Sequence, residues 1–352
     1  MTALPLLADV AAAAEHCSYC AKLCRYTCPV AEATGRESVT PWGIDREITQ
    51  AARTGTVTAS TAAAVYACTG CRACGGSCLP GLDLPTHVRA ARAAVVQAGL
   101  APDGVEGAAG REVAAAGALE AGATAGAELL VFPGCDSRDG DALAAVLRAA
   151  GVAWDVAREP VCCGARSVDV GLADLGAEQA GRAQAALAGA ARVVVMDPHC
   201  ARRLAVDLAD DRVVTLPRLL AELVGRLALR DDVAPVVWHD PCWLARGLRE
   251  HAEARDVVRA ASGADAVEPE ATGERTRCTG GGMGFDAVFP ETGRALRDAR
   301  AHGLRAAGAD ALPVVTACPT AAQRLAAAGL DAHDLAGWLA TRLAHDTQEA
   351  QR

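Results

Sequence analysis

The order of apolar and polar positions predicts two kinds of architecture in one chain. In the first hundred residues it predicts short helices over Pro41–Thr54 and over residues 58–67. A third helix is opened by Asp83, Leu84 and Pro85 and runs to about Gln97, since proline suits a first helical turn. Residues 99–128 are rich in Gly and Ala and read as a linker, with a helix expected over residues 105–119. From residue 129 the character changes. Short β-branched runs, such as Val193 to Val195 and Val314 to Thr316, alternate with helical stretches, which is the pattern of parallel α/β units.

The second half also repeats itself. Leu129-Leu-Val-Phe-Pro-Gly-Cys135 matches Val236-Val-Trp-His-Asp-Pro-Cys242, 107 positions later. Cys162-Cys163-Gly164 matches Cys278-Thr279-Gly280 at an offset of 116, and the segment from Val194 to Leu204 matches Val315 to Leu325 at 121. Offsets that grow in small steps are what loop insertions in a duplicated domain produce. Each copy reads strand, Cys-bearing turn, helix, strand, Cys-Cys loop, long helix, strand, Cys-bearing turn, helix. Functional groups in such sheets gather beyond the C-terminal strand ends, where these cysteines fall, so one site per copy is expected. The predicted fold class is α followed by α/β: a helical domain at 1–98, the linker at 99–128, and two α/β repeats with parallel sheets at 129–229 and 233–345.

Composition narrows the function. The 352 residues carry a net charge of −9 and few aromatic side chains, which argues against nucleic-acid binding. The imbalance is uneven: residues 1–100 sum to +1 and the remainder to −10, so docking driven by acidic groups belongs to the later domains. Lys22 is the only lysine, part of a chain-wide preference for arginine. No apolar run is long enough to span a membrane. The apolar stretch from Met1 to Ala14 is broken by Asp9 and has no basic segment before it, so no signal peptide is expected. The 15 cysteines are therefore expected to meet a reducing cytoplasm, where thiols in number mean metal or catalysis.

Eight of them form two runs, Cys17-x2-Cys20-x3-Cys24-x3-Cys28-Pro29 and Cys68-x2-Cys71-x2-Cys74-x3-Cys78. The second has the thiolate spacing of bacterial ferredoxin-type 4Fe–4S runs, and the first carries one extra residue in its middle gap. Three sulfurs of each run can face one cube, while the fourth ligates the other cluster in two-cluster ferredoxins. By that logic Cys17, Cys20, Cys24 and Cys78 hold cluster 1, and Cys68, Cys71, Cys74 and Cys28 hold cluster 2. Two all-thiolate zinc sites are the alternative, but zinc ribbons pair C-x2-C units across long gaps.

Together with His239-Asp240-Pro241-Cys242 and Cys162-Cys163-Gly164, these runs make the chain resemble the cysteine-rich (CCG) domain proteins. That family includes heterodisulfide reductase subunits, iron–sulfur subunits of glycolate oxidase and anaerobic glycerol-3-phosphate dehydrogenase, and lactate-utilisation proteins. A full repeat there offers five cysteines and can bind an iron–sulfur cluster, non-cubane in heterodisulfide reductase. Here the first repeat supplies Cys135, Cys162, Cys163 and Cys200, with Asp197 in place of a fifth cysteine. The second supplies Cys242, Cys278 and Cys318, with Thr279 and Ala321 at the missing positions. Four thiolates suffice for a cluster in the first copy. Three in the second hold a cube with one open iron, or nothing. Asp197 and His239 are further ligand candidates, and His199 adjoins a cysteine turn in the same way. As alternatives, the second-half thiols are inert core residues, the histidines are structural, and Asp197 and Asp240 start helices. The run Gly280-Gly-Gly-Met-Gly284 either lets the backbone approach a cluster or is a flexible loop.

The resemblance implies an iron–sulfur electron-transfer subunit working between a flavin-dependent dehydrogenase and a quinone-reducing or other carrier, in the cytoplasm or at the inner face of the membrane. The chain shows no strand followed by G-x-G-x-x-G, hence no nicotinamide or flavin fingerprint of its own. The competing readings are a catalytic disulfide reductase using a CCG-site cluster and a scaffold with empty CCG sites.

Overall fold

The structure is a computed structural model that describes residues 5–110, 118–157 and 159–344. The first part is helical: α1 (Ala8–Glu15), α2 (Pro29–Thr34), α3 (Pro41–Thr54), α4 (Ala59–Tyr66) and α5 (Leu84–Gln97). The three helices expected from the sequence form within a residue of their predicted ends. Threonines start two of them. Thr40 Oγ1 accepts a hydrogen bond from Gly43 N at 3.1 Å, and Thr58 and Thr61 form a reciprocal capping box. Ile44, Ile48 and Ala51 recur at helical spacing on α3 and bury against Val88, Ala91 and Val95 of α5. The cysteine loops run through short 3-10 turns, Leu23–Thr27 and Ala73–Ser77, that pack on each other.

The segment read as a linker is packed where it is described. Val105 and Ala108 join the core of the helical part. Gly110 N donates to Ser167 Oγ at 3.1 Å, and Gln179 Nε2 donates to Gly110 O at 2.9 Å. Of the helix expected over 105–119, only a 3-10 turn at Glu106–Ala108 and the start of α6 (Ala118–Ala121) are seen; residues 111–117 lie outside the described residues.

The first repeat is a four-stranded parallel sheet, β1 (Leu129–Phe132), β2 (Trp154–Val156), β3 (Arg192–Val195) and β4 (Val213–Thr215), in the order β2-β1-β3-β4. Its helices are α7 (Gly140–Ala149), α8 (Ala165–Asp169), α9 (Ala173–Ala186), α10 (Pro198–Arg202) and α11 (Leu216–Leu223). The second is a three-stranded parallel sheet, β5 (Val237–His239), β6 (Val314–Thr316) and β7 (Ala332–Asp334), with α12 (Ala252–Ser262), α13 (Phe285–Val288), α14 (Pro290–Arg305), α15 (Pro319–Ala326) and α16 (Leu335–Thr341). Strands buried by helices on both faces read as near-continuous valine runs, which is why they stood out in the sequence. Two details differ from expectation. Each sheet gains a further strand, β4 or β7, and among the described residues the second copy has no counterpart of β2, only a single bridge from Val237 to Val267.

The two repeats pack as a pseudo-dimer. The helix after the first strand of one copy lies against the last helix of the other, α7 on α16 and α12 on α11. Leu229 and Leu343, in the segments after those last helices, form an antiparallel bridge, closed by Arg230 N→Arg342 O and Ala344 N→Ala228 O, each 2.9 Å. Reciprocal contacts of this kind mark a two-fold relation. One apolar core runs through the seam, from Leu143, Leu147 and Val131 to Trp238, Val257 and Trp338.

Candidate functional site

In the helical part the eight cysteines surround two cavities of similar size. Cys17, Cys20, Cys24 and Cys78 line one of about 330 Å³, with Trp42 and Pro80. Cys28, Cys68, Cys71 and Cys74 line another of about 360 Å³, with Ile44, Val30 and Leu84. The first, outer cavity lies at the surface, and its four thiols are half-buried. Tyr19, Leu23, Tyr26 and Leu79, which flank those thiols in sequence, are exposed. Lys22 and Arg72 turn the chain between cysteines in the left-handed backbone region, φ 62° and 60°. Lys22 then lays its ammonium over Trp42 at 3.5 Å, and Arg72 pairs with Asp83 at 2.8 Å.

The donor chemistry suits a sulfur-bound cluster. Each cavity presents four soft sulfur donors in a largely apolar shell. Among the described residues no three His, Cys, Asp or Glu side chains are arranged to hold a single metal ion. Burial pushes the thiols of Cys28 and Cys68 up to about 12 and those of Cys24 and Cys74 upward as well. A metal centre bound there must displace those protons. Cys17 is also raised, by burial and then by Asp45, whose Oδ2 accepts from Cys17 Sγ at 3.1 Å. Asp45 Oδ1 sits 2.9 Å from His87 Nδ1 in a buried pair behind the outer cavity. Sequence reading missed this pair, because its members are 42 residues apart and neither adjoins a cysteine.

In the repeats four cysteine turns follow a strand end, as the topology requires. Cys135 follows β1, Cys200 lies in α10 after β3, Cys242 follows β5 and Cys318 follows β6. The first repeat stacks its thiols on one another. Cys163 Sγ lies 3.1 Å from Cys200 Sγ, and Cys162 hydrogen-bonds with both Cys135 and Cys163. Glycines admit the backbone to them: a Cβ on Gly110 would stand 2.7 Å from Cys162 Sγ, and one on Gly134 3.2 Å from Cys200 Sγ.

The second repeat turns its thiols toward an open cleft of about 640 Å³ between the two copies. Cys242, Cys278 and Cys318 line it with Thr279 and Ala321, the positions where cysteines were expected. From the first repeat come Asp136, Arg166, Asp197 and His199. A hydrogen bond to Cys242 holds the Cys278 thiol at about 11, and burial raises Cys318.

A shared device recurs at three of these sites. Cys68-Thr-Gly70, Cys162-Cys-Gly164 and Cys278-Thr-Gly280 each turn through a left-handed glycine, φ 65°, 75° and 81°. Each glycine N–H donates back to the first cysteine's sulfur, at 3.3, 3.4 and 3.2 Å. Such bonds stabilise a thiolate and tune its metal. The repeated Cys-Thr-Gly, present in the helical part and in the second repeat, is the sequence signal that would have revealed it.

The acidic and histidine candidates take different roles. Asp197 caps α10, its Oδ1 accepting from His199 N at 2.7 Å. Asp240 stands just before the helical turn Trp243–Leu248, but its side chain does not cap that turn. It accepts from Trp238 Nε1, Arg255, Thr272 and Gly273 N, and ties the loop after α12 to β5. His239 is buried, and its Nδ1 accepts from Arg300 Nε at 3.0 Å; burial and that guanidinium keep the ring neutral. With Nδ1 taken by Arg300, a neutral ring carries its proton on Nε2, and His239 lines the cleft. His199 stacks on Trp243 with centroids 4.7 Å apart and places Nε2 2.7 Å from Asp169 Oδ2.

The Gly280–Gly284 run is neither a cluster cradle alone nor a loose loop. Gly282 takes Thr69 O against its Cα, so that a Cβ would stand 2.3 Å from that oxygen. Gly70 in turn receives the Met283 side chain. Arg246 Nε donates to Cys71 O at 2.6 Å, and the Cys71 and Cys278 thiols hydrogen-bond. The loop carrying Cys68 and Cys71 is thus seated on the thiol site of the second repeat.

Comparison with known proteins agrees with this division. The 4Fe-4S dicluster domain matches residues 13–82, and the Cysteine-rich domain matches residues 129–205 and 236–322. A component of the fumarate reductase (CoM/CoB) of Methanothermobacter marburgensis is 29% identical over 275 residues, 72% of this chain and 55% of that protein. A component of the dihydromethanophenazine:CoB–CoM heterodisulfide reductase of Methanosarcina mazei is 28% identical over 214 residues, 55% of this chain and 52% of the relative. A probable membrane-anchored ferredoxin of Chromohalobacter salexigens is 38% identical over 96 residues, 27% of this chain and 14% of its own length. The chain spans about half or less of the curated relatives it matches. No solved structure matches. Among the described residues no helix is long and apolar enough to cross a membrane.

Proposed function

Given a chain made of a 4Fe-4S dicluster domain followed by two cysteine-rich domains, we propose that it is the iron–sulfur electron-transfer subunit of an oxidoreductase complex. The observation that carries this reading is the seating of the Cys68–Cys71 loop on the second repeat, where Gly282 packs on Thr69 O and Arg246 Nε donates to Cys71 O at 2.6 Å. We assign Cys17, Cys20, Cys24 and Cys78 to an outer cluster and Cys28, Cys68, Cys71 and Cys74 to an inner one. Cys135, Cys162, Cys163 and Cys200 form a further cluster site in the first repeat, and Cys242, Cys278 and Cys318 one in the second. An iron–sulfur cluster bound at such a site takes up and returns single electrons.

The chain's own residues do the rest. Tyr19, Leu23, Tyr26 and Leu79 give the outer site an apolar rim on which a redox partner docks. Arg246, Met283 and Trp243 keep water from the contact between the inner site and the second repeat. The glycine N–H donors hold three sulfurs in place. The partners we infer are a flavin-dependent dehydrogenase and a quinone-linked or other carrier, with the chain in the cytoplasm or peripheral to the membrane.

Anaerobic purification with iron and sulfide analysis tests this. About 12 to 16 iron atoms per chain are expected, whereas about 8 would mean that only the dicluster sites are filled. Cys163→Ala is expected to lower the iron by one cluster. Cys71→Ser is expected to abolish one dicluster signal in electron paramagnetic resonance while leaving the repeat signals; unchanged iron would overturn the ligand assignment.

The open cleft favours one second reading, reduction of a disulfide at the second repeat, because three thiols and His239 line one solvent-open cleft between the copies. Turnover of a disulfide by the reduced, isolated chain would establish it.

A further inference from the structure

Arg92, on α5, is the largest charged group wholly removed from solvent among the described residues, with 0% exposure. Its guanidinium donates only to backbone carbonyls: Val65 at 3.1 and 2.9 Å, Tyr66 at 3.3 Å, Cys68 at 2.7 Å, Asp169 at 2.8 Å and Met283 at 2.7 Å. These carbonyls come from the dicluster domain, the first repeat and the second repeat. The Tyr66 ring lies under it at 4.7 Å, and the Tyr66 hydroxyl is engaged by Val170 O.

Among the described residues no carboxylate pairs with it, although the Asp169 charge acts on it from beyond hydrogen-bond distance. The nearest acid, Asp169, offers Arg92 its carbonyl, while its side-chain oxygens face Arg89 Nε at 2.6 Å and His199 Nε2 at 2.7 Å. Arg89 itself adds a like charge on the same helix, divided between Asp169 and Asp207. Neutral carbonyls satisfy the N–H groups of a buried cation but leave its charge uncancelled, and an isolated buried charge is costly. The anionic group within reach is the thiolate set of the inner site, whose member Cys68 gives Arg92 its carbonyl. At the outer site the buried neighbour is a carboxyl, Asp45 against Cys17, itself paired with His87.

We propose that Arg92 is the buried counter-charge of the inner dicluster site and sets its reduction potential above that of the outer site. This rests on the assignment of Cys28, Cys68, Cys71 and Cys74 to the inner cluster. A fixed positive charge favours the more negative, reduced form of whatever is bound beside it, and low dielectric enlarges the effect. Arg92 acts through Cys68 and the local field, so it is a positioning residue. The resulting order draws electrons inward, from the exposed rim toward the cleft.

The full chain, loaded anaerobically with iron and sulfide, is titrated potentiometrically and followed by electron paramagnetic resonance, with Cys20→Ser and Cys74→Ser identifying the two signals. The inner midpoint is expected above the outer in the unmodified protein. Arg92→Gln removes the charge and is expected to lower the inner midpoint and leave the outer one in place. Arg92→Lys keeps the charge but cannot reach all five carbonyls; its inner midpoint is expected to stay close to the unmodified value while amide exchange at residues 280–284 accelerates. An inverted order, an unchanged inner midpoint in Arg92→Gln, or equal falls in both variants would overturn the proposal. If Arg92→Gln fails to load the inner site, loading restored by Arg92→Lys supports the charge, and loading lost in both rejects it. An unmodified chain that takes up no iron would instead remove the cluster assignment itself.

Discussion

Asp334 shows how single residues at the seam between the repeats are poised. Its Oδ1 caps α16, accepting from Ala336 N at 3.2 Å, while Oδ2 is buried with no hydrogen-bond partner. The Asp139 carboxyl from the first repeat lies at the same helix end, so close to Gly337 that a Cβ there would stand 3.1 Å from Asp139 Oδ2. Burial first, and then Asp139, raises the Asp334 carboxyl to about 8. A raised carboxyl favours the fold in its neutral form. That contribution is complete below the ordinary carboxylate range and is lost as pH rises toward 8. Asp334→Asn keeps the cap and removes the charge. Thermal melts should show the variant more stable than the unmodified protein at about pH 8 and equal to it near about pH 4, with a difference on the order of a few kcal/mol. Parallel melting curves across that range would show that Asp334 titrates normally.

Among the elements, the Gly280–Gly284 loop and the α7–α16 contact decide how the parts are joined. Gly282→Ala would drive a methyl into Thr69 O. It should unseat the loop carrying Cys68 and Cys71 and alter the inner-site resonance signal, leaving the outer signal as it is. A variant with both signals unchanged would mean that the loop yields freely. Leu147 on α7 is fully buried in the core shared by the repeats. Leu147→Ala should cost about 2–5 kcal/mol in chemical denaturation. Because that core is common to both sheets, the loss should appear in one cooperative transition. Two separate transitions, with only one of them shifted, would show that the repeats unfold independently.

At the scale of the whole molecule, a pseudo-two-fold pair of repeats carries a third domain on one side only. The Leu229–Leu343 bridge joins the segments after the last helix of each copy, yet the dicluster domain seats its inner loop on the second repeat and ties to the first mainly through Tyr66, Arg89 and Arg92. The copy with fewer cysteines is therefore the one that touches the inner site. Cys278→Ala is accordingly expected to perturb the inner dicluster signal, whereas Cys163→Ala should remove iron without doing so. Equal effects from the two substitutions would contradict the asymmetry.

The two cysteine runs, the helices between them and the duplication were legible in the chain alone, since each depends on spacing and on the apolar period of a single element. So were the strand ends that carry Cys135, Cys200, Cys242 and Cys318, because parallel strands buried on both faces show as valine runs. Other features needed the folded chain. Arg92 with Met283, Cys71 with Cys278, Asp45 with His87 and Asp139 with Gly337 are joined across intervals that carry no pattern. The roles of Asp240 and His239 turned on partners from α12 and α14, which no local rule names. Tertiary packing settled these because the energy of a buried charge, a thiol contact or a glycine approach depends on what lies opposite it. Periodicity records only which side of an element is buried.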